Sequence, residues 1–398
     1  MDLSKLFDFA RIGEGEYVEE KFMSAMKKDE YTILKYKKNA LNAGSLDTLG
    51  MFRSVVIDNV AQQVVAFSPP KSYSFDGFKE KITEGEDDIV FEEYVEGTMI
   101  NVFYHKDEWQ LATRSLVGGR GVFFKDGKTF RQMFLECMNE TGLEFDDLNK
   151  EYSYSFVIQH PSNRIVVRHR LPKLVLCAVY KCAGTIVSEI NISDLNLSDK
   201  FRTPDVFKCE TIQEAQDTYA GVDQTPYYIM GVVLKANGMR TKIRNPNYEY
   251  VRRLRGNQPK SQFQYLSLRK TGNVREFLKY YPEYTKPFHQ YRKQVHDFTN
   301  TLHQSYVRCY IKKEKPLGQF PKEFRGHIYN LHQIYITKLM EEKKYVSLPV
   351  VIEYVNDMKS SHLMYAINYK YRTMKVHEAK EEKQEQLSVE EQAPPTAT

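Results

Sequence analysis

Ile89-Val90-Phe91-Glu92-Glu93-Tyr94-Val95-Glu96-Gly97-Thr98-Met99-Ile100-Asn101-Val102-Phe103 is the stretch on which the reading of the fold turns. Two runs of strand-forming residues, 89–93 and 99–103, flank the loop Tyr94-Val95-Glu96-Gly97-Thr98. The lead-in is short and ends acidic, and the exit is apolar. Such runs broken by a glycine predict strand, tight loop, strand.

Working outward, residues 30–245 carry strand-length runs punctuated by Gly, Asp and Asn. Among them are 54–58, 63–67, 174–180 and 231–235. The pairs Asp126-Gly127, Ala183-Gly184 and Asn237-Gly238 supply hairpin turn chemistry between such runs. Helices are predicted at 129–141 and at 211–219, the latter behind Thr211 as N-cap. Strands and helices mixed without strict alternation predict an α+β fold built on antiparallel sheets.

Beyond Tyr248 the apolar period changes to three and four. This predicts helices over 274–280, 288–310, 324–342 and 348–368, with Pro349 in a first turn. The expected division is therefore 1–247, an all-helical domain at 248–375, and a disordered Glu/Gln/Lys-rich tail at 376–398.

The formal charge of +5 conceals an asymmetry. Residues 240–315 hold 18 Lys/Arg against 5 Asp/Glu, whereas 376–398 hold 6 Glu and 2 Lys. A basic middle points to a polyanionic partner. The 28 Tyr and 23 Phe suit base stacking, but half-buried packing is the commoner use of each. Five scattered cysteines form no Cys-x-x-Cys pair, so neither a disulfide framework nor a zinc knuckle is expected. No apolar run has the length of a signal peptide or a membrane span, so an intracellular protein, cytoplasmic or nuclear, is expected.

The ordered motifs of residues 30–245 resemble the phage-type, tRNA-repair RNA ligases, a family of covalent nucleotidyltransferases with an ATP-grasp-like domain. The Tyr94 loop resembles that family's Lys-x-Asp/Glu-Gly-Ser/Thr. Met51-Phe52-Arg53-Ser54-Val55-Val56-Ile57-Asp58 is similar to its Arg-Gly-x-x-Phe-Asp strand, and Pro70-Lys71-Ser72-Tyr73 to its Pro-Lys-Phe-Phe-Asn segment. Leu111-Ala112-Thr113-Arg114-Ser115 follows, with Arg114 standing for a lysine. Then Ser155-Phe156-Val157-Ile158-Gln159-His160-Pro161-Ser162-Asn163-Arg164-Ile165-Val166 looks like Phe-Glu-Phe-Val-x-Pro-x-Asn-Arg-Ile-Val. Met230-Gly231-Val232-Val233-Leu234-Lys235 looks like Glu-Gly-x-Val-x-Lys, and Lys242-Ile243-Arg244 like the closing Lys-x-Lys.

What the resemblance implies is specific. The family lysine that attacks the α-phosphate of ATP falls on Tyr94, and two metal-binding glutamates fall on Val157 and Met230. A phenol, with an ordinary pKa near ~10, is a different nucleophile from an amine. Valine and methionine offer nothing to a hard cation, so no metal is expected. Arg53, Lys71, Gly97, Arg114, Lys242 and Arg244 remain as nucleotide- or phosphate-binding residues. Arg252, Arg253, Arg255, Arg269 and Lys270, interleaved with Tyr250, Phe263 and Tyr265, are the expected RNA contacts. Lys181 and Lys235, at hairpin tips, read as chance Lys-x-x-Gly matches, and His289, His296 and His303 as a seven-residue stripe unsuited to metal.

The expected function is that of an inactive ligase-like protein binding RNA, of which tRNA is the kind the resemblance suggests. Two rivals stand beside it: an active ATP- and Mg-dependent ligase with another nucleophile, and a structural or assembly protein, of a virion for instance, that reuses the fold.

Overall fold

The computed structural model describes residues 1–123, 127–195 and 200–374. The expected turn at Asp126-Gly127 and the tail at 376–398 lie outside the described residues. Two compact units result, Met1–Arg255 and a second beginning at Gly256.

The first unit carries three antiparallel sheets. One joins β1 (Met23–Lys28), β2 (Tyr31–Tyr36), β3 (Val55–Asp58) and β4 (Gln63–Phe67) in chain order. The other strands are β5 (Val90–Glu93), β6 (Thr98–His105), β7 (Glu108–Ala112), β8 (Tyr152–Gln159), β9 (Lys173–Ala183), β10 (Ile186–Ile190), β11 (Val206–Phe207), β12 (Gly231–Ala236) and β13 (Met239–Arg244). They form sheets ordered β10-β9-β8-β6-β7 and β11-β5-β12-β13. The helices here are α1 (Gly15–Glu20), α2 (Phe75–Lys79), α3 (Phe130–Thr141), α4 (Ile212–Ala220) and α5 (Pro246–Arg255).

Strand β8 shows why the sheets stack. It is central and buried at all but its first position, so both of its faces need partners. Tyr154, Phe156 and Ile158 pack with Met133, Phe134, Cys137 and Met138 of α3. On the opposite face Ser153 accepts from the Phe67 amide, and Ser155 donates to Asn101, which donates to Ser68. Buried hydroxyls are tolerated there because each has a partner. Val157 shares this second face by strand alternation.

Local signals set the helices and turns. Thr129 and Gln132 form a reciprocal cap on α3, and Thr211 caps α4 by accepting from the Glu214 amide. Asn237 and Gly238 both take positive φ (52° and 71°), which closes the two-residue β12–β13 hairpin.

The run after Asn245 is helical from Pro246. Fully buried Asn245 donates to the Pro226 and Ile229 carbonyls and accepts from the Asn247 amide. Helix α5 buries Tyr248, Val251 and Arg255 at three- and four-residue spacing. The expected boundary after residue 247 thus falls inside a helix of the first unit.

In the second unit the helices are α6 (Ser261–Lys270), α7 (Val274–Tyr280), α8 (Thr285–Tyr306), α9 (Lys322–Ile334), α10 (Leu348–Asp357) and α11 (Ser360–Ile367). Helices α8 and α9 run on into π-turns at Val307–Ile311 and Tyr335–Leu339. The single helix expected over 348–368 is broken where Met358 and Lys359 become extended (ψ 141° and 136°). Lys270 from α6 donates to the Asp357 and Met358 carbonyls and so caps α10. Tyr265, Phe277, Tyr281, Tyr284 and Phe288 pack ring on ring, a use of tyrosine for packing. Among the described residues no helix is long and apolar enough to cross a membrane.

Candidate anion-binding site

Tyr94 sits in the loop between β5 and β6, and that loop is held from both sides. Before it, Glu92 pairs with Lys235 and Glu93 with Arg202, each at 2.7 Å. Behind it, Gly97 has φ of 147°, and a Cβ there would collide with the Ile158 carbonyl and the Val157 side chain. Only glycine lets the loop lie this close to β8.

Glu96 is buried (5% exposed) and spent inside the fold. Its carboxylate accepts from the Val166 and Val167 amides at 3.1–3.3 Å and from the Tyr248 hydroxyl. Burial first, then Glu96, pushes the Tyr248 hydroxyl above its ordinary range. Gln159 also donates to the Glu96 carbonyl at 3.0 Å. The motif carboxylate is an anchor for the loop.

Above the Tyr94 ring stand Lys242 Nζ at 4.6 Å from its centroid and the Arg244 guanidinium at 5.9 Å. Strand alternation puts Arg240, Lys242 and Arg244 on one face of β13. Arg53, just before β3, and Lys71, after β4, join them. Burial pulls the Lys242 amine down to about 6, reinforced by Arg240, Arg53, Arg244 and Lys71. Arg53 and Lys71 are lowered in the same way, by burial and then chiefly by Arg240 for Arg53 and by Arg53 for Lys71. For Arg244, burial acts downward, but Tyr94 and Glu249 outweigh it and the net shift is upward. Arg114 is exposed, lies 5.5 Å from the Tyr36 ring centroid, and contributes to the depression of Arg53.

The structure therefore gathers Arg53, Lys71, Lys242 and Arg244 near Tyr94, with Arg114 adjoining through Arg53. It adds Arg240, which the motif reading passed over. Arg240 donates to the Pro70 carbonyl, and its Nε is buried with no hydrogen-bond partner. The signal for it was present in the sequence: it shares period two with Lys242 and Arg244. Arg244 pairs with Glu249 at 2.7 Å, whereas Lys242 has no carboxylate partner among the described residues.

A divalent metal does not fit this site. Val157 is buried between Met99 and Val175, and Met230 contributes a carbonyl that accepts from the Asn245 amide. Glu92, Glu93 and Glu96 are engaged elsewhere. Among the described residues no group of three His, Cys, Asp or Glu side chains is placed to hold a metal ion.

The expected RNA-contacting residues do not form one surface of equivalent cations. Arg252 is exposed on α5 and pairs with Glu249 at 3.4 Å, while exposed Arg253 donates to the Glu249 carbonyl. Arg255 is buried at 4% exposure. Arg269 donates to Asn356 and Lys270 caps α10, so both brace the second unit. Lys181 and Lys235, expected at hairpin tips, lie within strands β9 and β12 and pair with Glu151 and Glu92.

No protein-family model matches the chain. The chain is 22% identical to an immediate-early protein ICP-46 homolog of Invertebrate iridescent virus 3, over 66% of this chain and 61% of that protein. It is 29% identical to an RNA ligase of Rhodothermus phage RM378, over 22% of each chain. The chain therefore spans less than two thirds of the length of these relatives. An archaeal ATP-dependent RNA ligase structure overlaps 91% of this chain and 80% of its own at 13% identity and a TM-score of 0.37. An overlap this loose carries no information about activity.

Proposed function

We propose that this chain, a distant relative of the RNA ligase-like nucleotidyltransferases, binds RNA through its cation cluster and forms no covalent adenylate. The observation that carries this reading is the Tyr94 ring under Lys242, with Nζ 4.6 Å from its centroid. Phosphate-compatible cations surround the position, while the amine expected there is absent. Self-adenylylation requires an amine to attack the α-phosphorus, and a metal to offset the triphosphate charge as pyrophosphate leaves. Val157 and Met230 withhold the ligands for that metal. Viral relatives are compatible with a viral protein whose RNA target would be met in a host cell.

Incubation with α-labelled ATP and Mg²⁺ or Mn²⁺, followed by denaturing electrophoresis, tests the first half. No label is expected, and a label on any residue, Lys242 included, overturns the inactive reading. Filter binding across a salt series tests the second half. Four phosphate contacts on a single strand give a log–log slope of roughly −3. A flat response would favour the assembly-protein reading.

A further inference from the structure

We infer that the cluster around Tyr94 takes a terminal polyphosphate without a divalent cation, Arg240 and Lys242 supplying the positive charge a metal would otherwise bring. This rests on the anion-binding reading above and adds to it the ligand class and the metal independence.

The first support is charge balance. Arg53, Lys71, Arg240, Lys242 and Arg244 act on one another, and among the described residues only Arg244 of these has a carboxylate partner, Glu249. A lone backbone phosphodiester brings one negative charge. A phosphate monoester already carries about −1.5 to −2, and a triphosphate chain roughly −4. Only the longer chain approaches the charge of the cluster once Lys242 is protonated.

The second support is depth. The Arg240 Nε is buried without a partner, and Lys242 is largely buried, its Nζ 4.6 Å from the Tyr94 ring centroid and without a carboxylate partner among the described residues. A buried guanidinium lacking an anion is costly and a buried amine sheds its proton instead, so an anionic ligand relieves the first and lets the second recharge. The third support is that the carboxylates beside Tyr94, Glu92, Glu93 and Glu96, are already engaged. Mg²⁺ carried in on the ligand would find all three occupied and would add two positive charges to a cluster already rich in them. Lys242, largely neutral near pH 8 beside Arg240, Arg53, Arg244, Lys71 and Tyr94, would take up a proton as the anion enters.

The chemistry has two sources, a free nucleotide or a 5′-triphosphorylated RNA end. The test is calorimetry on the full chain with tripolyphosphate, ATP, 5′-triphosphate RNA and the same RNA bearing a 5′-hydroxyl. Each is run in EDTA and in millimolar Mg²⁺. Expected are polyphosphate binding in EDTA at least as tight as in Mg²⁺, and roughly tenfold preference for triphosphate over hydroxyl RNA. Lys242→Met should weaken tripolyphosphate by about tenfold. Exposed Lys71→Ala provides a second variant if the first fails to fold. Binding of ATP but not of triphosphate RNA would uphold the metal-free polyphosphate site, assign it to free nucleotide, and sink the RNA reading. Tighter binding with Mg²⁺ by tenfold or more, or equal affinity for the two RNAs, overturns the inference and leaves RNA binding standing. No binding of any ligand overturns both.

Discussion

The cations around Tyr94 in the first unit and the paired cations of the second do opposite work. In the first, Arg53, Lys71, Arg240 and Lys242 face one another around Tyr94, and burial holds Arg53, Lys71 and Lys242 below their ordinary pKa values. In the second, Arg269 bonds Asn356, Lys270 caps α10, Lys279 pairs with Glu276 at 3.0 Å and Arg308 with Glu314 at 2.5 Å. The basic excess across residues 240–315 mixes these two kinds of charge. Composition alone registers their sum, whereas function depends on which positive charges are left without an internal partner.

The strongest way to break this contrast is a pair of double mutants. Lys242→Ala with Arg244→Ala should lower RNA affinity by roughly 10- to 100-fold at low salt and reduce the salt slope by about 1.4. Arg269→Ala with Lys270→Ala should change RNA affinity by less than about threefold while lowering the melting temperature by several degrees. Equal losses of affinity by filter binding in both would erase the distinction between the units.

A pH series sharpens it. The Lys242 amine has a folded pKa of about 6 against an ordinary 10.5. Between those values the unfolded chain binds more protons, so stability should rise with pH across that window, at most by about 1.4 kcal/mol per unit. The penalty is fully present below pH 6. Urea midpoints at low ionic strength should show the rise, and Lys242→Met should flatten it. A rise unchanged in that variant would mean another group carries it.

The smallest expected effect is on sealing. Tyr94→Lys alone should yield no ligation of nicked RNA, because the new amine stands beside Lys242 and Arg244 with no metal ligands at Val157 or Met230. The triple variant with Val157→Glu and Met230→Glu has the better prospect. Sealing by the single variant would show that the two other positions matter less than the contrast requires.

Much of the fold was readable because its signals are local. Turn pairs such as Asn237-Gly238, the caps Thr129 and Thr211, and the run of alternation through β13 act within a few residues. Motif order led to the expectation that Lys71, Arg114, Lys242 and Arg244 converge; Lys71, Lys242 and Arg244 influence one another, whereas Arg114 acts on Arg53. Helical structure was expected from residue 248, but not that α5 would start at Pro246 and belong to the first unit, because Asn245 is held by the Pro226 and Ile229 carbonyls, 19 and 16 residues away. The break between α10 and α11 likewise depends on Lys270, 87 residues before the Asp357 carbonyl it meets.

By itself the sequence determined which chemical groups exist at the site: a phenol for an amine, valine and methionine for carboxylates, and cations two residues apart on β13. Side-chain identity and strand period are properties of the chain. Only the tertiary structure decided which of those groups are spent. It turned Glu96 into a loop anchor by offering it the Val166 and Val167 amides, and it occupied Glu92 and Glu93 with Lys235 and Arg202. It left Lys242 buried among positive charges, because burial and the distances between distant segments set the local field.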